Sequence, residues 1–193
     1  MKFSKDNTII KDAIILLVIT LIAGVILGGV YSVTKDPIAN IEKQVTAQAY
    51  AQVYPDGKLV EDNSKLVEAL KSFKADDSDA VVDDVYSVND GEGFVFTCHA
   101  KGYGGDVKLA LGVKTDGTIL GLSVISAASE TPGLGAKCTT EDFQSQFTGV
   151  QVQNSTIEIN KDYQQISGAT ITSKAVMRAI NASLKFMAEN SGN

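Results

Sequence analysis

Basic residues are in short supply. The 193-residue chain sets 17 Lys and Arg against 23 Asp and Glu, for a formal charge of -6. Without a basic stripe to follow a phosphate backbone, nucleic-acid binding is not expected. Cysteine is nearly missing as well: Cys98 and Cys138 stand alone, with no CxxC spacing and a single histidine, His99. A structural zinc site needs about four such ligands, so the sequence offers none. Two cysteines make no disulfide framework. A bridge between them outside the cytoplasm and a pair of small buried hydrophobes both fit, the second being the plainer reading. One histidine gives little acid–base capacity, and no Ser-His-Asp set or paired carboxylates stand out, so independent substrate turnover is not expected.

What the sequence has in abundance is one apolar run. Residues 13–33 carry no charge, and a bilayer core takes a helix of about 20 apolar residues. The run predicts a transmembrane helix, with Tyr31 as an interfacial aromatic. A cleaved signal peptide is the rival, but its apolar core runs only about 7–15 residues before a small-residue cleavage site. Tyr31-Ser32-Val33 is a poor one. No cysteine follows the run, so a lipoprotein anchor is not expected. Lys2, Lys5 and Lys11 precede the run, while Lys35 and Lys43 follow it. This bias places the N-terminus in the cytoplasm and the C-terminal domain outside. The expected division is a cytoplasmic segment at 1–12, a span at 13–33, a helical connector at 34–75 and an extracytoplasmic domain at 76–193. Gly24, Gly28 and Gly29 offer a helix-contact face, the Gly24-x-x-x-Gly28 spacing permitting close approach toward a second copy or toward other subunits.

The soluble part reads as α+β. After Pro37, the spacing of Ile38, Ile41, Val45, Ala49 and Val53 predicts an amphipathic helix. Tyr54-Pro55-Asp56-Gly57 is a turn signal, and Asn63 to Phe73 reads as a short helix. Asp76-Asp77-Ser78-Asp79 and Asp83-Asp84 form an acidic patch lacking the EF-hand pattern, which reads as a solvated loop. Strands are predicted at Val81–Val88, Gly93–His99, Val107–Lys114 and Thr118–Ser126, with hairpin signals at Asn89-Asp90-Gly91 and Thr115-Asp116-Gly117. A short helix at Thr139–Phe147, capped by Thr140-Glu141-Asp142, and a short strand at Thr156–Ile159 follow. The last element is a helix over Ser173–Met187, with Ala175, Val176, Ala179, Ile180, Leu184 and Met187 on its apolar face. Two N-x-S/T triplets, at Asn154 and Asn181, read as chance.

Three segments are candidates for chemistry. Ile166-Ser167-Gly168-Ala169-Thr170-Ile171-Thr172-Ser173 enters the last helix. A helix N-terminus offers free N–H groups to an anion, Gly168 and Ala169 let a phosphate approach the backbone, and Ser167, Thr170, Thr172 and Ser173 add hydroxyls. An ordinary Ser/Thr cap explains the same residues more simply. Ala128-Ser129-Glu130-Thr131-Pro132-Gly133-Leu134-Gly135-Ala136-Lys137 is a loop stiff at the proline and permissive at Gly133 and Gly135. It could fold over a planar ring, or be a plain turn. In Lys101-Gly102-Tyr103-Gly104-Gly105 the glycines allow a tight turn, and Tyr103 is placed either to stack on an aromatic ligand or to pack at a rim.

Taken in order, Gly-Tyr-Gly-Gly, Glu-Thr-Pro-Gly-Leu-Gly-Ala-Lys and Ser-Gly-Ala-Thr-Ile-Thr-Ser-Lys-Ala-Val resemble the FMN-binding subunits of ion-translocating respiratory complexes. The chain is similar to the RnfG family of the Rnf complex, related to the NqrC family of the sodium-translocating NADH:quinone reductase. The resemblance covers the whole chain. It implies FMN joined to Thr170 by a phosphoester, installed by a flavin transferase that uses FAD and magnesium, with Glu130, Thr131, Gly133, Leu134 and Gly135 near the ring. It further implies other membrane subunits as partners, and a role relaying single electrons in a complex that oxidises ferredoxin, reduces NAD and moves Na+ or H+. Family members often carry aspartate six residues before the modified threonine; here Gln164 stands there, and the nearest aspartate is Asp162. A stand-alone extracytoplasmic flavin carrier, or a non-redox membrane-anchored domain, would use the same motifs.

Overall fold

The computed structural model describes residues 3–60, 63–77, 79–89, 91–152 and 155–190, with residues 3–8 and 39 by backbone alone. Lys2, Ser78, Asp90, Asn154 and the tail Ser191-Gly192-Asn193, which figure in the expectations above, lie outside the described residues. The chain divides into two units, Met1–Gln44 and Val45–Asn193.

The first unit holds most of helix α1 (Phe3–Val53). From Ile9 onward α1 is long and apolar enough to cross a membrane, and its most apolar window is wholly unburied. Hydroxyls in and beside that run turn back on the helix: Thr20 Oγ1 donates to the Leu16 and Leu17 carbonyls at 3.0 and 2.9 Å, and Ser32 Oγ to the Gly28 carbonyl at 2.9 Å. In hydrocarbon a hydroxyl has no other partner to take. The expected fresh start after Pro37 does not occur, because Pro37 lies inside α1. Proline withholds one N–H from the Val33 carbonyl, and the helix continues past that gap. Ile38 and Ile41, placed on an apolar face by their spacing, are exposed.

The second unit is an α+β domain built on one antiparallel sheet. Its strands β1 (Ala80–Val88), β2 (Gly93–Lys101), β3 (Asp106–Lys114) and β4 (Ile119–Ser126) pair in sequence order. β2 is buried along almost its whole length, as a strand covered on both faces must be. Phe94, Phe96 and Cys98 join one core, while the alternate Val95 joins another, the period of two expected of a pleated strand.

The larger core lies under helix α4 (Thr170–Asn190). All six residues assigned to its apolar face are buried. Phe186 sits between Phe96 and Phe73, in edge-to-face contact at 6.1 and 5.2 Å. Phe73 follows helix α2 (Ser64–Ser72), whose Leu66 and Leu70 pack on the same core. The smaller core is made by the last turns of α1 and the residue after it, where Ala49, Val53 and Tyr54 meet Val88, Val95 and Ala110. Gly112 and Gly121 are cross-strand partners there. A Cβ on Gly112 would overlap the Val53 carbonyl oxygen, so glycine lets the helix end lie directly on the sheet.

Several local expectations are corrected. α4 begins at Thr170 rather than Ser173. Residues 139–147 do not form one helix but a 3-10 turn at Gly135–Thr139, helix α3 (Glu141–Gln144) and a second 3-10 turn at Ser145–Phe147. The Thr140 hydroxyl does not cap α3; it donates backward to the Lys137 carbonyl at 2.8 Å. Here Phe143 and Phe147 turn inward against Tyr163, and that packing overrides helical continuity. No strand forms at 156–159 among the described residues. Ile159 makes only an isolated bridge to Tyr163, and Ile157 is held instead by Asn181, whose side chain accepts from its N–H at 2.8 Å and donates to its carbonyl at 3.2 Å.

The acidic patch is not simply solvated. Arg178 pairs with Asp77 and Asp79 at 3.6 and 3.5 Å, Lys185 pairs with Asp76, and His99 bonds Asp83 at 2.9 Å. Both cysteines are free and buried. Burial pushes the Cys98 thiol up to about 12 and the Cys138 thiol up to about 11, the Glu130 carboxylate adding to the latter. Such thiols are inert.

Candidate functional site

Three connections meet at one end of the sheet: the turn after β2, the loop after β4 and the entry to α4. Between them lies a cleft of about 420 Å³, within the range of small-molecule sites. Tyr103, Glu130, Thr131, Leu134, Gly135, Gly168, Ala169, Thr170 and Thr172, all singled out in the sequence, line it. Gly133, Ser167 and Ser173 do not. Gly133 instead supplies a positive φ of 75° that bends the loop.

Glu130 is the joint of this arrangement. Its carboxylate is only 4% exposed. Oε1 accepts from the Tyr103 and Gly104 backbone N–H groups at 2.8 and 3.1 Å, and Oε2 accepts from the Thr172 hydroxyl at 2.5 Å. One side chain thus ties all three connections together. The glycines around it are required by space. A Cβ on Gly135 would overlap Glu130 Oε2, and one on Gly104 would overlap the Ser129 carbonyl oxygen.

The four hydroxyls of the Ser-Gly-Ala-Thr-Ile-Thr-Ser segment divide sharply. Ser173 is fully buried; its Oγ donates to the Ala169 carbonyl at 3.1 Å and accepts from the Ile166 N–H at 3.0 Å. Thr172 is 1% exposed and committed to Glu130. Ser167 is exposed but outside the cleft. Thr170 is both exposed and in the cleft, as the first residue of α4. The first intrahelical bond runs from Ser173 N–H to the Ala169 carbonyl at 3.0 Å. The N–H groups of Thr170, Ile171 and Thr172 therefore have no acceptor in the helix and are available to an anion.

Two contributors leave little trace in the sequence and were not expected. Ile171 lines the cleft and is half exposed. An apolar side chain between two threonines in a first helical turn is the signal that would have marked it. Arg178, the sole arginine of the sequence, donates from Nη2 to the Lys101 carbonyl at 2.6 Å, bracing the Gly-Tyr-Gly-Gly turn from α4. Its scarcity was the only sequence cue. Gln164 and Asp162 serve local structure: the Gln164 N–H bonds the Gln146 side chain at 2.9 Å, and Asp162 accepts from the Glu158 N–H at 2.7 Å.

A free hydroxyl beside three unsatisfied amides suits a phosphate ester, and the exposed apolar side chains of Tyr103, Leu134 and Ile171 suit a planar aromatic group. The residues present therefore fit a flavin mononucleotide. Fold and site together define an α+β flavin-phosphate-binding domain that follows a membrane-type helix. Residues 102–185 match the FMN-binding domain family, and residues 1–53 match the RnfG N-terminal region. Over 93% of the chain and 91% of the relative, it is 33% identical to the G subunit of the Na(+)-translocating ferredoxin:NAD(+) oxidoreductase complex of Acetobacterium woodii. Over 95% of the chain and 94% of the relative, it is 30% identical to the G subunit of the proton-translocating ferredoxin:NAD(+) oxidoreductase complex of Clostridium ljungdahlii. A solved C subunit of the Na(+)-translocating NADH-quinone reductase of Parabacteroides distasonis aligns over 53% of this chain and 61% of its own, at 29% identity and a TM-score of 0.43. The chain belongs to the RnfG family of ion-translocating oxidoreductase complexes.

Proposed function

We propose that this protein carries FMN as a phosphoester on Thr170 and relays single electrons within a complex that transfers them from reduced ferredoxin to NAD and couples the transfer to Na+ or H+ movement. The observation that carries this reading is the place of Thr170: of the four hydroxyls in its segment it is the one both exposed and in the cleft, and it stands at the N-terminus of α4 beside three free amides. Bound FMN supplies one-electron redox chemistry; the protein holds, orients and tunes it. The free amides of Thr170, Ile171 and Thr172 offset the phosphodiester charge. Glu130 fixes the loops that frame the ring, and Tyr103, Leu134 and Ile171 present apolar surface to it. Attachment of the cofactor by a covalent bond suits a carrier, which must not lose it between turnovers.

A flavin transferase is the partner that would install FMN, and other membrane subunits would exchange electrons with it. The same proposal divides the chain into a cytoplasmic segment at 1–12, a span at 13–33, a connector at 34–75 and an extracytoplasmic flavin domain at 76–193, supported by the lysines that precede the run. Intact and peptide mass spectrometry on protein co-expressed with the transferase tests the attachment. An FMN-sized increment on the peptide holding Thr170 is expected, and its absence despite an active transferase would sink the carrier reading. Topology is checked with a membrane-impermeant thiol reagent on intact cells. An added cysteine at exposed Glu189 should label and one at Asp6 should not; the reverse pattern rules out the orientation.

A further inference from the structure

Of the groups around the cleft, the buried carboxylate of Glu130 has the least ordinary surroundings. It is 4% exposed, yet among the described residues it has no ion-pair partner. Its three hydrogen bonds come from neutral donors: two backbone amides and the Thr172 hydroxyl. A buried charge held only by neutral dipoles keeps much of its field. That field falls on the cleft, which Glu130 lines. The fold also goes to some length to keep the carboxylate there, since Gly104 and Gly135 both lack a Cβ where one would collide with it or with Ser129. If the task were only to join three loops, a neutral amide could accept and donate the same bonds.

We propose that Glu130 is a positioning residue that also tunes the cofactor, its fixed negative charge holding the flavin at a lower potential than the cleft would otherwise set. The inference rests on the FMN reading above. Uptake of one electron, supplied by reduced ferredoxin through the complex or by the electrode in a titration, adds one negative charge to the flavin when no proton follows. A like charge within about 12 Å, at an effective dielectric constant near 20, opposes that uptake on the order of tenfold in the equilibrium. The three donors moderate the effect. Each hydrogen bond draws charge density from the carboxylate, so the bond from Thr172 in particular screens the flavin from Glu130.

Two substitutions then move the potential in opposite directions. Glu130→Gln removes the charge while leaving an oxygen for the Tyr103 and Gly104 amides and an NH2 for the Thr172 oxygen, so the potential rises. Thr172→Val keeps the charge and the side-chain shape but removes one screening donor, so the potential falls. The experiment is spectroelectrochemical titration of the full-length, covalently flavinylated protein and both variants, each first checked by peptide mass spectrometry. A positive shift of about tenfold in the one-electron equilibrium for Glu130→Gln, with a smaller negative shift for Thr172→Val, is the expected result. Shifts of the same sign would mean loosened loops rather than charge and would overturn the proposal, as would no shift in Glu130→Gln. If Glu130→Gln does not accumulate, Thr172→Val decides alone, a zero or positive shift refuting the inference. Absence of covalent flavin from the wild type would overturn the attachment reading instead, and the mass spectrum separates the two failures.

Discussion

Thr170→Ala should yield a protein that folds normally and carries no covalent flavin at all. The threonine side chain is exposed. It occupies the first turn of α4, where alanine is at least as good a helix former. Exposed substitutions away from caps and cores stay within about 0.5 kcal/mol, so thermal stability should not change. Attachment, by contrast, is all or none, because no other hydroxyl stands at the α4 N-terminus and open to the cleft; Thr131 is exposed in the cleft but belongs to the loop after β4, away from the free amides of α4. Thr172 and Ser173 are buried and already bonded, and Ser167 lies outside the cleft. Thr170→Ser restores a hydroxyl at the same place and should restore the flavin. Absorbance of the denatured, desalted protein together with the peptide mass gives the answer. A flavin mass retained by the alanine variant would move the attachment to another residue.

Phe186→Ala should be the most damaging single change to the domain. Phe186 is fully buried at the point where α4 meets β2 and the segment after α2. Removing such a ring costs about 3–5 kcal/mol, part lost transfer energy and part the cavity left behind. For a domain of this size the melting midpoint should fall on the order of 10 °C. Circular dichroism melts of wild type and variant measure it. A fall of less than about 2 °C would mean that the packing around Phe186 collapses to fill the space, and that the core is less committed than its burial implies.

The strands were legible because both patterns that define them were present. β-branched alternation marked their length, and Asn89 and Gly117 marked the turns, so each boundary came within a few residues. The face of α4 was legible from period alone. The failures share a cause. Residues 139–147 and 156–159 are shaped by contacts made far along the chain, by Phe143 and Phe147 against Tyr163 and by Ile157 against Asn181. Local pattern carries no trace of such partners. Pro37 misled for a related reason: proline reads as a helix boundary, whereas a helix can pass through it at the loss of one bond. At the site, residue types pointed to an anion and a planar ring, but the division of labour among the hydroxyls was invisible. Only the folded chain separates Thr170, open to the cleft, from Thr172, committed to a glutamate 42 positions away. Gly102, Gly104 and Gly135 looked like flexible turn residues. They are better understood as vacated space beside Glu130 and Ser129.

The seat of Val53 on Gly112 and Gly121 decides where the domain can be separated from the long apolar helix before it. The end of α1 is the obvious place to cut, since that helix is one uninterrupted element. A fragment starting at Tyr54 would strip Ala49 and Val53 from the smaller core and uncover Val88, Val95 and Ala110. It would also lose the Tyr50–Thr97 and Gln52–Ser123 hydrogen bonds, at 2.7 and 2.9 Å. Such a fragment should aggregate, as sheets with a bared apolar face do. One beginning at Val45, where the compact unit begins, should stay soluble and monomeric, with the last two turns of the helix serving as a lid the sheet cannot do without.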